Sequence, residues 1–145
     1  MAIHRIKARD YPIIESWFRS RKIAPPSYQE LSETGWIADN RVAGWLLCTN
    51  SSVAIIEHLI SNPDTVPSLR QESIQKLTGF MIDFALMLGY THIVAASKHP
   101  SVDRVAKQFG FKKTDLSFYV LTESELDENI SSSYLLDNAA DMDDE

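Results

Sequence analysis

The spacing of apolar residues changes period several times along the chain, and each change marks an element. In Ile3-His4-Arg5-Ile6-Lys7, Ile3 and the stem of Arg5 share one face and His4 and Ile6 the other, a short strand. Asp10 then stands at a helix N-cap position, Pro12 suits a first turn, and Ile13, Ile14, Trp17 and Phe18 fall on one helical face. Pro25-Pro26 stops that helix, and a linker or short second helix covers 28–33. Three extended runs follow, Gly35–Ala38, Val42–Cys48 and Val53–Ser61. Asp39-Asn40 and Asn50-Ser51-Ser52 lie between them and supply turn chemistry, which predicts an antiparallel meander. Asn62-Pro63-Asp64 breaks the third run.

From Ile74 onward Leu77, Met81, Phe84, Ala85 and Leu88 recur at three- and four-residue intervals. They predict a central helix from about Ser73 to Leu88, with Phe84 among its most buried residues and Gly89 as its C-terminal cap. His92–Ala96 reads as a buried strand. Pro100, Val102, Val105, Ala106 and Phe109 predict a further amphipathic helix ending at Gly110, and Ser117–Leu121 a last strand. The order is β-α-(α)-β-β-β-α-β-α-β: an α/β fold of the α+β mixed-sheet kind, with a central, mostly antiparallel sheet flanked by helices.

Composition sets the limits of this picture. A chain of 145 residues, 44% of them hydrophobic, is long enough for one core and short for two. Its net charge of -6 is unevenly spread. Residues 1–122 carry all 14 basic residues against 11 acidic ones, a net of +3, whereas 123–145 carry nine acids and no Lys or Arg. The expected division is a folded domain over 1–122 and an acidic, flexible tail over 123–145, able to recruit a second copy of the chain or another protein. No apolar run suits a membrane span, and the first residues lack a secretory signal's apolar stretch. The single cysteine, Cys48, precludes an intrachain disulfide, so a cytoplasmic setting is expected, with Cys48 a packed thiol.

Several chemistries are disfavoured. His4, His58, His92 and His99 lack the spacing of a zinc site, so no metal is expected. No G-x-S-x-G, Walker A or G-x-G-x-x-G string occurs. Basic residues are scattered rather than striped, and Trp17, Trp36 and Trp45 sit in apolar patterns, which argues against nucleic-acid binding.

The order of elements resembles that of the GNAT (GCN5-related N-acetyltransferase) superfamily over about residues 3–121. Val42-Ala43-Gly44-Trp45-Leu46-Leu47 looks like the family's third strand, and Ile55-Ile56-Glu57-His58-Leu59-Ile60-Ser61-Asn62-Pro63 like its fourth, ending in a proline turn. His99 to Phe111 follows the spacing of the family's N-x-x-A-x-x-L-Y-x-K-x-G-F segment, with Gly110-Phe111 intact. The resemblance implies an acyl-CoA-dependent N-acetyltransferase acting on a small amine or a protein, with acetyl-CoA as cofactor. In that family the pyrophosphate lies on a Q/R-x-x-G-x-G/A loop opening the central helix, where a Cβ would obstruct the backbone amides. The matching segment here, Leu69 to Ile74, has no glycine. Arg70, Gln71 and Ser73 are then the residues left to offer donors, while Glu72 puts a carboxylate in the expected first turn.

Two further positions follow from the resemblance. Glu57 lies where several family members carry a carboxylate base, on the same alternating face as Ile55 and Leu59; an ion pair is the other reading. Ala106 replaces the tyrosine that often protonates the leaving thiolate, and His99, at the helix head, is either a general acid or a solvent-facing helix start. The missing glycines and Ala106 also suit a non-catalytic binding or assembly protein, and the chain resembles the small degenerate GNAT-like proteins of tailed bacteriophages in size and in its missing loop.

Overall fold

The computed structural model describes residues 2–95 and 100–114. The elements are β1 (Ile3–Arg5), α1 (Tyr11–Ser20), β2 (Gly35–Ala38), β3 (Val42–Cys48), β4 (Val53–Ser61), α2 (Pro67–Met87), β5 (His92–Ala95) and α3 (Pro100–Gln108), with single 3-10 turns at Ala8–Asp10 and Tyr28–Glu30. The expected last strand at Ser117–Leu121, the tail and His99 lie outside the described residues. The five strands form one sheet in sequence order. Neighbours from β1 to β4 are antiparallel, and β4 and β5 run parallel with α2 as their crossover.

Local chemistry explains the joints. Asp39 and Asn40 both adopt positive φ, +53° and +56°, and Arg41 N–H closes the turn onto the Ala38 carbonyl at 2.9 Å. Between β3 and β4, the Thr49 and Ser51 hydroxyls accept the backbone N–H groups of Ser51 and Val53. Gly89, at φ +96°, ends α2: its N–H reaches the Leu86 carbonyl and that of Tyr90 reaches Ala85. Gly110 ends α3 with the same pair of bonds, to Lys107 and Ala106.

The sheet has a core on each side. Ile14, Trp17 and Phe18 of α1 pack with Ile37, Ala43, Trp45 and Ile60 on one face. On the other, Ile74, Leu77, Met81 and Ala85 of α2 pack with Trp36, Val42, Leu46, Ala54 and Ile56, joined by Val105 of α3. No helix among the described residues is long and apolar enough to cross a membrane.

Four expectations need correcting, the first at β5, whose described residues are exposed or half-buried rather than buried. The central helix begins at Pro67, not Ser73, because proline at the first helical position lacks only an N–H that the helix would leave unused. Phe84 is only half-buried. The fully buried stripe is Leu77, Met81 and Ala85, and Phe84 is rotated off it, meeting Trp36 edge-on at 4.9 Å between ring centroids. Cys48 is exposed rather than packed, since burial along β3 stops at Leu46.

Candidate functional site

The irregular point of the sheet lies in β4. Its register against β3 shifts between Ala43 and Trp45, so that His58 and Leu59 together oppose Gly44. His58 carries the extra turn of backbone at φ +55°, a conformation costly to non-glycine residues. Its ring packs edge-on to Phe18 and Trp45, both at 6.3 Å. Gly44 leaves the room: a Cβ there would come within 2.8 Å of Leu59 Cδ2 and 3.1 Å of Met81 Cε.

The bulge resets the alternation of faces. Ahead of it, Ala54 and Ile56 belong to the α2 core; past it, Leu59 packs against that core while Ile60 joins the α1 core. Glu57 therefore does not share a face with Leu59, as simple alternation predicts. It lies directly across from Trp45, on the α1 side, half-buried. Among the described residues it has no ion pair.

The pairing of β4 with β5 runs from Val53↔His92 to Ile56↔Ala95. The second half of β4, Glu57 to Ser61, follows that last described pair. Beyond Ser61 a tight turn closes with Thr65 N–H on the Asn62 carbonyl at 3.1 Å, and α2 begins two residues later.

The first intrahelical bond of α2 is from Arg70 N–H to the Val66 carbonyl, 2.9 Å. Proline having no N–H, the Ser68 and Leu69 amides precede that bond and stand at the positive end of the helix dipole. Arg70 folds back so that Nη2 donates to the Thr65 carbonyl at 3.0 Å, while its buried Nε has no partner. Gln71 is half-buried. Ser73 is completely buried, its hydroxyl also without a partner, two turns from the helix start rather than at it. Glu72 likewise leaves the first turn. It pairs with Lys76 at 2.9 Å, and that hydrogen bond and charge hold its carboxyl below the usual range.

Arg21, which the sequence offered no reason to single out, completes the region. From the end of α1 its Nη2 donates to Ser61 Oγ at 2.6 Å and its Nε to the Ser61 carbonyl at 3.2 Å. Burial, and next the charge of Arg70, push its guanidinium below its ordinary value. Ala106 sits in α3, half-buried. The described residues contain no group of three or more His, Cys, Asp or Glu able to hold a metal.

No protein-family model and no curated protein matches the sequence. Solved structures do match. Rv2747 from Mycobacterium tuberculosis, in complex with CoA, superposes with a TM-score of 0.65 at 14% identity, covering 88% of this chain and 80% of its own. An acetyltransferase of Trypanosoma brucei gives 0.60 at 12%, covering 83% and 99%. The aminoglycoside N-acetyltransferase AAC(6')-Iy, in complex with CoA, gives 0.58 at 13%, covering 84% and 99%. The chain has the fold of the GNAT acetyltransferases.

Proposed function

We propose that this chain binds an acyl-CoA, with acetyl-CoA as the expected donor, beside the second half of β4 and transfers the acyl group to an amine of a small molecule or a protein. The observation that carries this reading is the bulge at His58, which turns Glu57 towards the α1 side of β4, on the strand that leads to the start of α2. It is supported by neighbours of the same fold that hold CoA.

The residues at the start of α2 suit the anionic part of such a donor. The Ser68 and Leu69 amides, the buried and unpartnered Nε of Arg70, and Gln71 are donors in one and a half turns of helix. One obstacle read from the sequence falls away, since Glu72 lies beyond the first turn and is paired with Lys76. Ser73, being buried, acts at most through the packing of the helix.

A bound acyl-CoA supplies the acyl group already activated as a thioester. Glu57, half-buried and without a counter-ion among the described residues, takes the proton of the acceptor amine, directly or through water. Ala106 has no proton to give, so protonation of the leaving thiolate falls to His99, which directly precedes α3.

Titration calorimetry of the full chain with acetyl-CoA, followed by release of free thiol in the presence of amines, tests the reading. Binding and turnover support it, and Glu57→Gln then lowers the chemical step by about 10²–10⁴-fold. An unchanged pH–rate profile in that variant removes Glu57 as base. Binding with no thiol release from any amine favours a second reading, a CoA-binding domain without catalysis, which Ala106 supports.

A further inference from the structure

The two flanks of α2 beside its buried stripe are finished differently. On one, α3 packs: Gln75 Nε2 donates to Gln108 Oε1 at 2.5 Å, and a Cβ at Gly79 would touch the Phe109 ring at 3.4 Å. On the other lie Phe80 and Met87, 37% and 73% exposed, with Phe84 half-buried beside them. Phe80 and Phe84 meet the Trp36 ring edge-on at 5.2 and 4.9 Å, and Arg5, directly across the β1–β2 ladder from Trp36, lays its guanidinium over the same indole at 5.9 Å. We propose that this second flank, with Arg5 and Asp83 at its borders, is the contact surface of a symmetric dimer of the chain.

The patch is apolar at its centre and charged at both borders. Arg5 stands on the sheet side, on β1, the terminal strand of the sheet. Asp83 stands on the outer side, one helical turn after Phe80 and one before Met87. Both are exposed, and among the described residues neither has an ion pair. Scattered surface hydrophobics need no partner, but phenylalanines and a methionine set side by side, with an arginine at their edge, have the composition of an interface centre.

The placement of charge identifies the partner as a second copy. A two-fold axis through the patch sets each border against the opposite border of the other chain, so that Arg5 of one copy faces Asp83 of its partner, twice over. A partner surface of a single sign would satisfy one border and repel the other. The same axis lays Phe80, Phe84 and Met87 against their own counterparts and removes from water the apolar surface that one chain leaves open. The contact uses β1, β2 and the second half of α2, none of the residues proposed to bind the donor, and stands whether or not the chain transfers an acyl group.

Light scattering of the full chain between about 1 and 500 μM reads the oligomeric state, and the expected result is a monomer–dimer equilibrium. Phe80→Asp and Met87→Asp should each raise the dissociation constant at least about tenfold. Circular dichroism shows which variants remain folded, and Met87→Asp, at the more exposed position, serves should Phe80→Asp unfold. Arg5→Asp and Asp83→Arg each set like charges face to face across the axis, so each variant alone should dimerise more weakly than the parent. Mixed in equal amounts, the two should form a heterodimer tighter than either homodimer, because both crossed pairs are then of opposite sign. A role confined to one chain's own fold gives no such recovery in a mixture. A parent that is monomeric at about 500 μM overturns the proposal, as does a dimer that a folded Met87→Asp variant leaves intact. A mixture of the two charge variants that associates no better than each alone overturns the facing of Arg5 and Asp83, and with it the two-fold contact.

Discussion

The two halves of β4 differ in residues and in pairing. Ala54-Ile55-Ile56 is paired on both edges, by β3 and β5, and contributes Ala54 and Ile56 to the α2 core. Glu57-His58-Leu59-Ile60-Ser61 keeps only β3 as a described neighbour, carries the positive-φ residue, and ends at a side chain held by an arginine. The first half is scaffold, held by strands on both edges; in the second, one extra residue turns the strand's faces over.

The sharpest test of that division is a pair of truncations. Ile56→Ala, in the doubly paired half at 2% exposure, should cost about 2–5 kcal/mol in urea melts. Leu59→Ala, past the bulge and only half-buried, should cost about 1–2 kcal/mol. Equal losses would mean that the two halves are one continuous core strand.

Next in size is the residue that makes the bulge possible. Gly44→Ala places a methyl against Leu59 and Met81 and should cost about 1–3 kcal/mol through overpacking. Because Leu59 lies just past the bulge, the same change should weaken acetyl-CoA binding if the donor lies along this half of β4. Full stability in Gly44→Ala would show that Leu59 is free to move aside.

His58 gives a smaller and more specific effect. His58→Val forces a β-branched residue to φ +55° and should cost about 1–2 kcal/mol, whereas His58→Asn, which tolerates that conformation, should cost less despite losing the ring contacts to Phe18 and Trp45. The reverse order would place the stabilisation in the ring contacts and not in the backbone.

These residues also mark where sequence reading stops. The meander was legible because Asp39-Asn40 and the Thr49–Ser52 turn declare themselves through side chains that accept local backbone bonds or tolerate positive φ. The stripe Leu77, Met81, Ala85 was legible because helical spacing is periodic. The bulge was not: its extra residue is a histidine, no glycine announces it, and it depends on Gly44 in the neighbouring strand. Glu57 was singled out, but its face was misjudged for the same reason. The helix start was misplaced although Pro67 signalled it, because the apolar periodicity begins only at Ile74. Arg21 was invisible, since a charged residue after a helix has no local feature that separates an anchored fork from a solvated one.

The smallest expected effect separates the start of α2 from its second turn. Glu72 is exposed, and its carboxyl is held below the ordinary carboxylate range chiefly by the hydrogen bond and charge of Lys76. A depressed folded-state pKa means that its contribution to stability is complete above the ordinary value of about 4.3 and is lost as pH falls through the folded value. Glu72→Gln should therefore melt slightly below the parent at neutral pH, and the two curves should converge in acid. Surface pairs of this kind are weak, so the gap should be narrow and should close in high salt. Because the carboxylate lies past the first turn and is already paired, Glu72→Gln should leave acetyl-CoA binding unchanged. Tighter binding in that variant would mean that Glu72 repels the anion after all, and that the second turn of α2 belongs to the same electrostatic neighbourhood as its start.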